Sequence, residues 1–126
     1  TFIGNQYHLM AGSRDLYIDL LLFHRRLRSL VAIELKIGEF EAEYAGKMQL
    51  YLTALDEQVK LPDENPSIGM IICKSKDKTY VEYALKQTSA PIGVATYQLR
   101  STLPDNMKAM LPEPEEIAKR LRIFEQ

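Results

Sequence analysis

Asp19, Glu34 and Lys36 are the residues of this 126-residue chain whose types and spacing could do chemistry. Two carboxylates can hold a hard divalent cation through oxygen. A lysine beside them can orient a water and stabilise negative charge growing on a phosphate. Together such groups suit metal-assisted hydrolysis of a phosphodiester. All three lie within DLYIDLLLFHRRLRSLVAIELK, residues 15–36.

That stretch reads as a β-hairpin, with strands at about residues 15–24 and 30–37. Leu16, Ile18, Leu20 and Leu22 alternate along the first strand, and Val31, Ile33, Leu35 and Ile37 along the second, so each set shares one face. Both sets are expected to point into one core, which fixes the parity of the pairing because a one-residue slip would turn a whole set over. A turn centred on Arg26 and Leu27 then places Asp19 directly opposite Glu34, with Lys36 two residues further along on the same face. Opposed side chains have Cβ atoms roughly 5 Å apart, where like charges repel. A cation between them removes that penalty. The same face carries Tyr17, Leu21, Phe23, Leu30 and Ala32, and carboxylates on a mostly apolar face need a partner.

Around the hairpin, residues 1–12 read as an extended segment. Residues 41–59 read as a helix with Tyr44, Met48, Tyr51, Leu52, Leu55 and Val59 in a stripe. Gly46 falls opposite the stripe, at about 1 kcal/mol relative to alanine. Ser67–Cys73 is a continuous apolar run suited to a central strand. A helix at about 77–88 and a strand at 92–99 follow, an order typical of a parallel crossover. A last helix is expected at 115–124. The class is α/β: a mixed sheet flanked by helices.

The length suits one domain over residues 1–126. Sixteen basic and seventeen acidic residues give a net charge of −1, so any nucleic-acid contact must come from local patches rather than a global basic excess. The lone cysteine, Cys73, excludes an internal disulfide. With no signal peptide and no apolar run near the roughly 20 residues of a membrane span, the expectation is a cytoplasmic protein without membrane contact. Two histidines, His8 and His24, and one cysteine make no zinc pattern, and there is no glycine-rich phosphate loop.

Ile18-Asp19 followed by Glu34-Leu35-Lys36 resembles the D…ExK signature of the PD-(D/E)XK nuclease superfamily, whose restriction-endonuclease-like core has the same order of elements: hairpin, helix, strand, helix, strand. The phrases FIGNQYHL, the run from DLYIDLLLFHRR to AGKMQLYL, NPSIGMIICKSKD, VEYALK and PIGVATYQL resemble the bacterial YhcG-type nucleases, over nearly the whole chain. The resemblance implies an endonuclease acting on DNA with Mg²⁺, for which Mn²⁺ can substitute. It implies Asp19 and Glu34 as metal ligands, the carbonyl of Leu35 as a further one, and Lys36 as the catalytic lysine. It also implies a separate helical domain before this one, so that the chain is the C-terminal part of a longer protein. Many members place an acidic residue on a helix before the first strand, which precedes Thr1. Many also carry glutamine and tyrosine four apart on the helix after ExK, where this chain has Lys47 and Tyr51.

Substrate contacts are expected from Lys47 and Tyr51, from Arg25 and Arg26 at the hairpin tip beside Arg28, and from Gln6, which with His8 precedes the site. Two other readings stand beside the nuclease: a non-catalytic nucleic-acid-binding module on the same fold, and a protein-interaction or homodimerisation domain using Tyr80, Tyr83 and the C-terminal helix.

Overall fold

The computed structural model describes residues 1–97. The last helix expected at 115–124, and the end of the strand expected at 92–99, lie outside the described residues. Five strands and two helices follow in the order β1 (Phe2–Ala11), β2 (Arg14–His24), β3 (Ser29–Leu35), α1 (Ala42–Gln58), β4 (Asn65–Cys73), α2 (Lys78–Leu85) and β5 (Ile92–Thr96). The strands make one sheet in sequence order. β1, β2 and β3 pair antiparallel, and β3, β4 and β5 pair parallel. This is the mixed α/β sheet of a restriction-endonuclease-like core. The segment before the hairpin is a full strand whose two-residue connection, Gly12-Ser13, uses the left-handed φ of 62° at Gly12.

Both parallel connections run through a helix and step in the same direction across the sheet. Right-handed crossovers of that kind put their helices on one face, and α1 and α2 touch there. Helix α1 buries Ala45, Met48, Tyr51, Leu52 and Leu55 against the sheet. Gly69 of β4 lets it approach: a Cβ there would lie 2.6 Å from Met48 Cγ and 3.1 Å from Leu52 Cδ1. Asp56 at the end of α1 accepts from the backbone N–H and hydroxyl of Ser67 at 3.0 and 2.7 Å. Gln49 accepts from the N–H groups of Ser89 and Ala90. At the other end the Ala42 N–H donates to the Tyr80 hydroxyl at 2.9 Å, satisfying a helix donor that Glu41 does not cap. Gly46 is exposed with open space around it, so packing places no demand on it.

The hairpin register is the expected one: residue numbers in β2–β3 pairs sum to 53 from His24↔Ser29 to Leu20↔Ile33. The expected core face needs correction. Along β3 the residues under the helices are Leu30, Ala32 and Glu34, at 3, 0 and 6% exposure, while Val31, Ile33 and Leu35 are half-buried. Along β2 the buried positions are Leu16 and Ile18, then Leu21, so the alternation slips by one residue at Asp19–Leu20. Both faces of β3 carry aliphatic residues, so periodicity fixes which residues share a face but not which face α1 covers. The small Ala32 and Gly69, paired with each other, decide that.

Candidate active site

The candidate site opens where β2 leaves β3. The ladder stops at Leu20↔Ile33. At the next step the carboxylate of Asp19 takes the place of a backbone acceptor, and its Oδ2 accepts from the Leu35 N–H at 2.9 Å. In an extended strand the N–H and C=O of one residue leave on the same side, so the Leu35 carbonyl is directed towards Asp19. On the other side of β2, Gln6 Nε2 donates to Asp19 Oδ1 at 3.1 Å. An ionised carboxylate only accepts, which fixes the orientation of the Gln6 amide. Its Oε1 is then buried without a hydrogen-bond partner. Gln6 also holds φ at 47°, a left-handed backbone unusual for a non-glycine residue. Both features occur at the position across β1–β2 from Asp19.

The cleft left by the parting strands has a volume of about 160 Å³ and is lined by Gln6, Asp15, Leu16, Tyr17, Asp19, Glu34, Lys36, Lys47 and Tyr51. Glu34 is 6% exposed on the helix side of β3. The Lys36 Nζ lies 4.9 Å from the centroid of the Tyr44 ring, and the Lys47 Nζ 5.8 Å from that of Tyr51. Each ring face attracts its ammonium, and both lysines line the cleft with the carboxylates. Tyr51 itself is 3% exposed, so its body belongs to the core while its edge reaches the cleft.

The donor set fits a hard divalent cation. Mg²⁺ is usually held by one or two carboxylates and keeps several waters. Two carboxylates, Asp19 and Glu34, line this cleft, which at roughly 30 Å³ per water has room for a partly hydrated ion. Among the described residues no group of three histidine, cysteine or acidic side chains is placed to hold a metal, so the ligand set would rest on Asp19, Glu34, the Leu35 carbonyl and water.

Of the residues singled out in the sequence, Gln6, Asp19, Glu34, Lys36, Lys47 and Tyr51 meet in the cleft, and Leu35 joins it through the backbone N–H that donates to Asp19. Arg25 and Arg26 do not: they sit at the hairpin tip, six or more residues from Asp19, about 20 Å along an extended strand. Arg28 at that tip pairs with Asp63 at 3.0 Å. Asp15, Tyr17 and Tyr44 were missed as site residues. Tyr17 and Asp15 stand two and four positions before Asp19, the period-two signal of a shared strand face. Tyr44 was visible only as part of the helix stripe.

The comparisons with known proteins give the family. Residues 1–112 match the family model described as the YhcG PDDEXK nuclease domain. The chain belongs to that family. It is 39% identical over 108 residues to "Putative nuclease YhcG" of Escherichia coli (strain K12), an alignment covering 86% of this chain and 28% of that protein. The chain thus spans under a third of that relative's length. No solved structure matches the chain significantly. PD-(D/E)XK nucleases typically use divalent metals, and the D…ExK residues of this member are those that converge on the cleft. No helix among the described residues is long and apolar enough to cross a membrane.

Proposed function

We propose that this domain is a Mg²⁺-dependent endonuclease that hydrolyses phosphodiester bonds in DNA, with Mn²⁺ able to substitute. One observation carries the reading: Asp19, Glu34 and Lys36 line a single cleft, with the Asp19 carboxylate pinned by Gln6 and the Leu35 N–H. Asp19, Glu34 and the Leu35 carbonyl would hold the cation. When bound, the cation neutralises charge on the scissile phosphate and lowers the pKa of a water. Lys36, held against Tyr44, donates to the attacking water and to the phosphate oxygen on which charge accumulates. Lys47 reaches the phosphate next in line. The buried flank of Glu34 limits solvent on the helix side of the cleft, where electrostatic interactions gain strength. The family relationship favours DNA as the substrate, by analogy.

The test is cleavage of labelled DNA in Mg²⁺ by the full-length protein and by Asp19→Ala, Glu34→Ala and Lys36→Ala. Each variant is expected to lose at least about 100-fold in rate, the scale for removing one preorganised stabilising group. Isothermal calorimetry with Mn²⁺ gives an independent reading: Asp19→Ala and Glu34→Ala should weaken binding while Lys36→Ala retains it. Equal cleavage by all four proteins would overturn the assignment.

A further inference from the structure

The wall of the cleft opposite the lysines is not explained by hydrolysis. It carries Tyr17, whose ring stacks on His8 behind it in the β1–β2 hairpin. His8 and Tyr17 are directly opposed across the two strands, with ring centroids 4.8 Å apart and planes at 23°. His8 Nε2 lies 2.7 Å from Asp15 Oδ1, which holds the imidazole in that orientation. Tyr17 remains 39% exposed and lines the cleft. His8 occupies one face of the phenol ring, on the β1 side, and β3 and the cleft lie on the opposite side of β2. Extending the hairpin register beyond its last pair puts Lys36 across from Tyr17, but the strands have parted there and the cleft lies between them. Tyr17 is two residues from Asp19, about 6.6 Å along a strand.

Both cationic side chains of the cleft, Lys36 and Lys47, stand on the β3–α1 wall together with Glu34, while Asp15 and Asp19 stand on the β1–β2 wall with Tyr17. A phosphodiester backbone is drawn to the lysines, and the Tyr17 wall offers it no cation. An open aromatic face can stack any base. A base paired within a continuous duplex stacks on its neighbours and cannot offer a face to Tyr17; an unpaired base can.

We propose that Tyr17, backed by His8 and Asp15, is a stacking platform for an unpaired base beside the scissile phosphate. The preferred substrate is then DNA that is single-stranded or locally unpaired at the cleavage point. This rests on the nuclease reading of the same cleft, and the test separates the two. Binding is measured by fluorescence anisotropy with the full-length protein and EDTA, so that no cleavage occurs. The probes are a labelled single-stranded oligodeoxythymidine, the same strand with central abasic sites, and a blunt duplex.

Tyr17→Leu should weaken single-strand binding roughly 5- to 150-fold, the range for losing one base–aromatic stack. Tyr17→Trp should restore it, and duplex binding should stay within about twofold, given a stacking contribution that paired bases cannot make. Abasic sites should weaken wild type but not weaken Tyr17→Leu further, as expected if both changes remove one interaction. Thermal melting of Tyr17→Leu checks that the hairpin persists. Equal losses for single strand and duplex, no loss at all, or indifference to abasic sites would overturn the platform. Cleavage in Mg²⁺ reports separately on the nuclease reading: if single-strand discrimination follows Tyr17 but Asp19→Ala leaves the DNA products unchanged, the platform stands and the nuclease reading fails.

Discussion

Gln6 shows at the scale of one residue how stability and site geometry conflict. Its amide holds the Asp19 carboxylate, yet the other end of that amide is buried without a partner and its backbone is left-handed. An orphaned buried acceptor costs about 1–3 kcal/mol, and a left-handed φ about 1–2 kcal/mol for a residue with a Cβ. Glycine removes both. We expect Gln6→Gly to melt a few degrees higher by calorimetry while binding Mn²⁺ more weakly, because Asp19 loses the Gln6 amide that anchors its Oδ1. A lower melting temperature would mean that the amide stabilises the fold more than its strain costs. Gln6 was legible in the sequence as a residue near the site. Its contact with Asp19 was not, since it depends on β1 pairing with β2 in a register that shifts between Phe2 and Gly4.

At the scale of elements, the spacing between α1 and the sheet is set by what β3 and β4 lack. Gly69 and Ala32 face the helix side by side, and Met48 fills the space where a Gly69 side chain would stand. Met48 is flexible, but it is fully buried, so its shift must displace neighbours. Gly69→Ala should therefore destabilise the domain by about 1–3 kcal/mol, the usual cost of overpacking, read as a lower urea midpoint with unchanged slope. Because Lys47 and Tyr51 ride on the same helix as Met48, a displaced α1 should also weaken substrate binding. The helix itself was evident from the Tyr44–Val59 stripe. The close approach was not, because it needs Gly69 and Met48, 21 positions apart in the chain.

At the scale of the whole molecule, Cys73 probes the integrity of the sheet. It is fully buried in β4, with its thiol 3.7 Å from the Ala95 carbonyl of β5. Burial pushes its pKa above the ordinary 9.0, partly offset by the positive charge of Lys76. The sign follows from the unfolded chain, which loses this proton at lower pH than the folded one. The thiol contributes no pH dependence below its ordinary pKa; above it, the unfolded state is favoured progressively as pH rises towards the folded value. Above the ordinary value of 9.0 the urea midpoint of wild type should therefore fall more steeply with pH than that of Cys73→Ala. Parallel slopes would show that other groups dominate alkaline unfolding.

The sequence by itself determined the pairing of β2 with β3, and with it the meeting of Asp19 and Glu34. Alternating aliphatic residues permit only one parity, and the hairpin tip sets the register. The ExK spacing placed Lys36 on the same side. Only the tertiary structure decided which sheet face the helices cover, because β3 is apolar on both. It also decided what surrounds the residues of the cleft: Gln6 behind Asp19, Tyr44 under Lys36, and His8 stacked on Tyr17. These contacts join residues distant along the chain. Local periodicity carries no information about them; strand pairing and helix packing do.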